Sequence, residues 1–292
     1  MMLVGGVLIW LAIKKQYEPL LLLPIGLGCI LANLPMTGML DEGGLLKVLY
    51  DAGIENELFP SLIFIGIGAM TDFGPLLENP RYMLFGAAAQ FGIFGAMLFA
   101  ILLGFDVNSA ASIGIIGAAD GPTSIFVASE LAPELVGTIT VVAYSYMSLV
   151  PIIQPPVMRL LTTRKERLIR MPYTTREISR TTRVLFPIAV TLVCGIIAPK
   201  ATPLIGMLMF GNLAREAGVV DRINKAAQNE IANIVTTFLG ITIGSTMVAE
   251  RFLTLDTLKI LAIGLVAFIL DTAAGVLFGK LANALSGGKI NP

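Results

Sequence analysis

Hydrophobic residues run along this chain in long blocks, and polar residues gather between the blocks. Apolar runs fall at about 19–34, 58–77, 82–104, 109–128, 135–157, 184–214, 231–249 and 257–282. A helix needs about 20 apolar residues to cross a hydrocarbon core of about 30 Å. The pattern therefore predicts an all-α fold, a polytopic transmembrane helical bundle. The run 184–214 carries Pro199 and Pro203 and predicts two helices with a turn at APKATP. The opening run 1–13 is too short to span. The whole of 1–292 reads as a single membrane domain, with a basic loop at 158–183 dividing two helical halves.

Charge sets the expected orientation. The stretch 159–183 holds eight basic residues against Glu166 and Glu177, and Lys14 and Lys15 flank the first run. The positive-inside rule places both in the cytoplasm. The acidic stretch 35–57, with Asp41, Glu42, Asp51, Glu55 and Glu57 against Lys47, then lies outside. Two cytoplasmic points must be joined by an even number of crossings, yet five apolar runs separate Lys15 from Arg159. One of them does not cross in the ordinary way. The run 109–128 is the candidate, because Gly117–Pro122 interrupts it. Two arms of about ten residues reach only about 15 Å each, the depth of the midplane. A broken or re-entrant segment around 109–128 would carry Asp120 at its tip.

Composition agrees with a membrane solvent. Of 292 residues 55% are hydrophobic and 14% charged, with mean hydropathy +0.83. Average soluble domains carry about 25% charged residues. Net charge is zero, which gives no bulk attraction to nucleic acid. Histidine is absent, so the commonest acid–base group and metal ligand is missing. Cys29 and Cys194 lie in apolar runs and read as packing thiols.

The sharpest chemistry is GAADGPTSIF, 117–126. Asp120 is a lone carboxylate in an apolar run, and a charge at mid-membrane costs at least about 2.5–3.5 kcal/mol. Gly121-Pro122 frees backbone carbonyls, and Thr123 and Ser124 add hydroxyls. Carboxylate, carbonyl and hydroxyl oxygens are the ligands of a hard cation. The competing reading is a helix N-cap, since Asp before Gly-Pro also starts a helix well. The next run holds the polar stripe Tyr144, Ser145, Tyr146, Ser148 and Gln154. Tyr146 is a possible proton donor there, or an interfacial anchor. Asp72 precedes Gly74-Pro75 near the end of its run, where a cap or loop contact is at least as good a reading. Asn212 could line a cavity, while Arg215 and Glu216 read as a helix end. Asn229, Glu230, Asn233, Thr236, Thr237, Thr242, Ser245 and Thr246 form a third polar set. Asp271 is a second carboxylate inside an apolar run. A core hydrogen bond, a snorkel to the cytoplasmic side and a coupling-ion role stay open for it. Asn291 lies in the terminal SGGKINP and reads by composition as tail.

The strings IKKQYEPLLLLPIG, FIGIGAMTDFGPL, GAADGPTSIFVASELAP, AYSYMSLVPIIQPPVMRLLTT, GMLMFGNLAREAGVVDR, NIVTTFLGITIGSTM and GKLANALSGGKINP cover essentially the whole chain. It resembles the membrane-embedded beta subunit of biotin-dependent, sodium-translocating decarboxylases acting on oxaloacetate, methylmalonyl-CoA, glutaconyl-CoA or malonate. The resemblance implies a multi-pass protein of a bacterial or archaeal cytoplasmic membrane, in which carboxybiotin decarboxylation drives sodium outward. It implies sodium binding at Asp120, with Thr123, Ser124 and Asn291 in the cation set, and a proton path through Tyr146, so that Asp120 and Tyr146 carry the catalysis. Both are then expected to face one polar space. It implies biotin carried on a partner rather than bound here, and as partners a carboxyltransferase alpha subunit, a biotin carrier and a small membrane-anchoring subunit. Family members continue past the point matching Pro292, and this chain starts abruptly at Met1. The expectation is a piece truncated at both ends and inactive alone. A secondary cation-coupled transporter without a decarboxylase role is the alternative. A passive scaffold gives no reason to bury Asp120 and Asp271.

Overall fold

The structure is a computed structural model. It describes residues 1–171 and 178–292, without the side chains of Ser148, Pro151 and Arg251. Arg176, Glu177 and the side chain of Ser148 therefore lie outside the described residues. Every regular element among the described residues is helical.

The apolar runs become helices, but several are shorter than the runs. Among the described residues three helical stretches are long and apolar enough to cross a membrane: Pro80–Leu102, Arg180–Ile197 and Leu255–Leu285. A fourth candidate is the pair Pro133–Met147 and Ile152–Leu161, whose arms meet at 64°. The intervening sequence contains Pro151, and a proline supplies no N–H to the helical ladder. The runs 19–34 and 58–77 yield Pro19–Ala32 and Leu58–Met70, of 14 and 13 residues. At 1.5 Å per residue these reach roughly 20 Å, short of the hydrocarbon core. Hydropathy counts apolar residues through a break, whereas these helices end at Asn33 and Thr71. The run 184–214 divides as its prolines require, into Arg180–Ile197 and Thr202–Ala217 around a 3₁₀ turn at Pro199–Ala201.

The run 109–128 is broken. A helix Val107–Gly114 passes into a 3₁₀ turn Ile115–Ala118, and a new helix begins at Gly121–Leu131. Ala119 takes the left-handed conformation at φ 54° and Asp120 is extended. Pro122 falls in the first turn of the new helix, where its missing N–H costs nothing. The first helix starts on Asp106, whose carboxylate accepts from the N–H of Asn108 at 2.9 Å and of Ser109 at 3.2 Å and from the Ser109 hydroxyl at 2.5 Å.

The chain divides into two compact units, each assembled from separate stretches. One comprises Met1–Asn79 and Arg176–Val248, the other Pro80–Thr175 and Ala249–Pro292. In the first unit Pro19–Ala32 packs on Ala232–Ser245, and Leu58–Met70 packs on Thr202–Ala217. Glycines set both contacts. A Cβ on Gly68 would stand 1.8 Å from the Leu208 carbonyl oxygen, and one on Gly211 would stand 2.0 Å from that of Ile65. Gly28 and Gly244 make the equivalent pair, each 2.1 Å from a facing carbonyl oxygen. In the second unit Leu255–Leu285 is the central strut. Val136–Leu161 and Phe91–Leu102 pack along it, and Val107–Gly114 packs on Phe91–Leu102.

Two outcomes test this packing. Gly68→Leu must push apart two backbones and should lower the thermal stability of the detergent-purified protein by at least the roughly 1–3 kcal/mol of an overpacked core. Gly6→Ala has no atom within 4 Å and should leave it unchanged. Bonds from the Ser109 hydroxyl and backbone hold the Asp106 carboxyl below its usual pKa. A lowered folded value means that the cap stabilises above the unfolded pKa and is lost as pH falls through the folded one. Asp106→Ala should therefore speed hydrogen exchange in residues 107–114 at neutral pH, with no added effect in strong acid.

Candidate functional site

The candidate site is built on the break between Val107–Gly114 and Gly121–Leu131. Asp120 occupies the N-cap position of the second helix, but its side chain makes no capping bond to a backbone N–H there. Its carboxylate accepts from the Thr123 hydroxyl. The Ser124 hydroxyl donates to the Asp120 carbonyl at 2.9 Å, and the Ser124 N–H to the same oxygen at 3.0 Å. Ser124 is fully buried, and Asp120 and Thr123 are partly buried. One turn of chain thus gathers a carboxylate, two hydroxyls and backbone carbonyls, an all-oxygen set of the kind that holds a hard monovalent or divalent cation. The N-terminus of a helix points at the same place and favours negative charge there.

The ring that rests on this turn belongs to Tyr144. A Cβ on Gly121 would stand 2.0 Å from Tyr144 Cζ and 2.4 Å from its hydroxyl, so only glycine leaves room for the phenol. Tyr146, two residues on, is held by Leu255–Leu285. Its hydroxyl donates to the Leu261 carbonyl at 2.7 Å, and its ring lies 6.0 Å from that of Phe268 and against Gly264. The i, i+2 spacing on a helix explains the difference, since such neighbours do not share a face.

Asn291 sits against the basic stretch at Arg167–Ile169. Its Nδ2 donates to the carbonyls of Arg167 at 3.1 Å and Ile169 at 3.0 Å. The same stretch is fixed by a capping box, in which Thr163 N–H donates to Glu166 at 2.6 Å and Glu166 N–H to Thr163 Oγ1 at 3.3 Å. These bonds to Thr163, with Lys280 3.2 Å away, hold the Glu166 carboxyl below its usual pKa.

The break after Leu58–Met70, in the other unit, has a different chemistry despite its similar TDFGP sequence. Gln228 donates to the Ala69 carbonyl at 2.9 Å, Arg215 to that of Met70 at 3.1 Å and Asn212 to that of Thr71 at 3.0 Å. The Asp72 carboxylate accepts from Gly74 N–H at 2.9 Å and lies 3.6 Å from Arg215. The freed carbonyls there are taken by side chains, so Asn212 and Arg215 close a helix end. Most of the third polar set is bonded to its own helix: Asn229, Thr237, Thr242, Ser245 and Thr246 each bond a carbonyl three or four residues back.

Ser112, in the helix before the break, gave no signal in the sequence. It is fully buried in Val107–Gly114, and its hydroxyl has no hydrogen-bond partner among the described residues. Tyr144 was legible as part of a polar stripe, but its place over Gly121 was not.

The chain matches the model of the Na+-transporting oxaloacetate decarboxylase beta subunit over residues 1–292. It is 56% identical over its whole length to the methylmalonyl-CoA decarboxylase subunit beta of Veillonella parvula, covering 77% of that protein. It is 56% identical, with the same coverage, to the glutaconyl-CoA decarboxylase subunit beta of Acidaminococcus fermentans. The oxaloacetate decarboxylase beta chain of Klebsiella pneumoniae is 45% identical over 353 aligned residues, which cover all of this chain and 81% of that one. An all-helical chain with membrane-length apolar helices and a carboxylate at a broken helix fits that company, and the chain belongs to the family of beta subunits of Na+-transporting decarboxylases.

Proposed function

We propose that this chain couples decarboxylation of carboxybiotin to outward movement of sodium across a cytoplasmic membrane. The observation that carries the reading is the break at Asp120, where a carboxylate and two hydroxyls stand together inside an apolar segment. A bilayer tolerates such a set only where a cation, a proton or a partner offsets the charge.

Sodium is the transported substrate. Asp120 supplies the charge that draws it from water, and Thr123 and Ser124 supply neutral oxygens. The Thr123 hydroxyl donates to the carboxylate and keeps its lone pairs free for a cation. Tyr146 lies on the proton path that decarboxylation requires. Carboxybiotin, carried on a partner's biotin domain, supplies the carboxyl group whose loss drives transport. In this reading the basic stretch that Asn291 touches is cytoplasmic, on the side where the carrier arrives. A carboxyltransferase alpha subunit loads the carrier, and a small membrane subunit anchors the assembly. The acid consumed is set by the carboxyltransferase, because nothing in this chain's proposed site recognises it. The chain alone is inactive in this proposal, since its carboxyl donor comes on another subunit.

The test is sodium uptake into vesicles that hold the native complex. One of oxaloacetate, methylmalonyl-CoA, glutaconyl-CoA or malonate should drive radioactive sodium inward through inverted complexes, and avidin should stop it. Avidin-insensitive sodium exchange would instead establish a secondary transporter. Asp120→Asn should reduce sodium-dependent turnover to background while the complex still assembles; normal turnover sinks the assignment. Thr123→Val removes one hydroxyl and should raise the sodium concentration for half-maximal rate about tenfold, the size of one hydrogen bond to a charged group.

A further inference from the structure

Asp271 is the acid that the proposed mechanism leaves unused. It lies in Leu255–Leu285, sixteen residues from one end and fourteen from the other. At 1.5 Å per residue the helix is about 46 Å long, more than the hydrocarbon core of about 30 Å, so with the core centred on it a residue near its middle is about 15 Å from each interface, beyond the reach of a short side chain. That removes the snorkel reading. The core hydrogen-bond reading fails as well: among the described residues its carboxylate has neither a hydrogen bond nor an ion pair, although Thr272 beside it donates to Phe268 O at 2.8 Å.

Among the described residues no cation is paired with Asp271. The elements packed on this helix include Met83–Ala89, Phe91–Leu102, Val107–Gly114 and Ile115–Ala118, and none of the four carries a charged or titratable residue. On Val136–Leu161 the titratable groups are Tyr144, seated on Gly121, Tyr146, bonded to Leu261 O, and Arg159, in the last turn. On its own helix Asp256 pairs with Lys259 at 2.8 Å and Lys280 with Glu166 at 3.2 Å, all near the ends. A carboxylate at mid-membrane without a counter-charge is stable only when neutral.

The contact that Asp271 does make is with Gly92. A Cβ on Gly92 would stand 2.6 Å from Asp271 Cβ. Gly117, three residues before Asp120, rests on the same glycine, its own Cβ direction meeting Gly92 C and Ile93 N at 2.9 Å. Gly92 is thus pressed between Asp271 and the turn that leads into the Asp120 break.

We propose that Asp271 is a proton-binding site, loaded and emptied in step with the Asp120 turn through their shared contact at Gly92. The step is one proton added to or lost from a carboxylate oxygen, with no other bond changed. Its timing rests on the pump reading above; its existence as a neutral acid in the membrane does not.

Infrared difference spectroscopy of the native complex, with and without sodium, tests the site itself. Wild type should show the C=O stretch of a neutral carboxylic acid, shifted by carbon-13 aspartate and missing in Asp271→Asn. Sodium should change that band. The variant is isosteric, and the isotope shift in wild type covers the case that it does not fold. Its sodium uptake should fall at least tenfold and lose its dependence on pH. A wild-type spectrum without a protonated aspartate band overturns the proposal, as does a variant with the wild-type rate and pH profile. If avidin fails to inhibit uptake while the Asp271 band responds to sodium, the pump reading fails and the proton site stands.

Discussion

Helices in an apolar solvent gain nothing from hiding apolar surface, so what holds them is contact between backbones. In this protein glycine sets that contact. Gly68 and Gly211 bring two helices to touching distance in one unit, and Gly28 and Gly244 do the same for another pair. In the other unit Gly92 admits Asp271 and Gly117 at once, and Gly121 admits the Tyr144 ring. Among the thirty glycines of the 292 residues, these are the spaces in which helices meet. The site inherits its geometry from those spaces: a side chain at Gly121 would drive Tyr144 off the turn that holds Asp120.

Close packing also explains why the same kind of break has different outcomes in the two units. Each helix that stops inside the protein leaves carbonyls to be satisfied. After Met70 those carbonyls are met by Gln228, Arg215 and Asn212, and the break is closed. Around Asp120 the polar groups mostly bond one another within a single turn, hydroxyl to carboxylate and hydroxyl to carbonyl. Local bonds of that kind can be exchanged for a cation without moving a neighbouring helix. The buried, unpartnered hydroxyl of Ser112 lies in the helix leading to this turn, so polar capacity beyond the local bonds is stored in the same segment.

In the proposed mechanism the carboxylates at 120 and 271 divide the work by their surroundings. Asp120 has hydroxyl and helix-end dipoles to support its charge. Asp271 has a glycine backbone and apolar neighbours. An acid with dipoles around it suits a cation, and one without suits a proton. Both Asp271 and the turn leading to Asp120 pack on one helix, Phe91–Leu102, which in the proposed mechanism is their common mechanical element.

The sequence by itself determined the solvent, the helical class and the location of the break. Hydropathy measures the cost of leaving water, and Gly121-Pro122 after Asp120 interrupts a helix through rules that act within a few residues. It also marked Asp120, Thr123 and Ser124 as one local oxygen set, because neighbours in sequence are neighbours in a turn. It did not determine helix lengths, since apolar residues continue past the points where ladders end, and the 13-residue Leu58–Met70 came from a 20-residue run. Only tertiary structure decided that Tyr144 rather than Tyr146 rests on Gly121, that Asn291 bonds the basic stretch, that Asn212 caps a helix 141 residues away and that Asp271 packs on Gly92. Each of these turns on which side chain fills which space, and that is set by contacts between residues far apart in the chain, to which hydropathy and local motifs are blind.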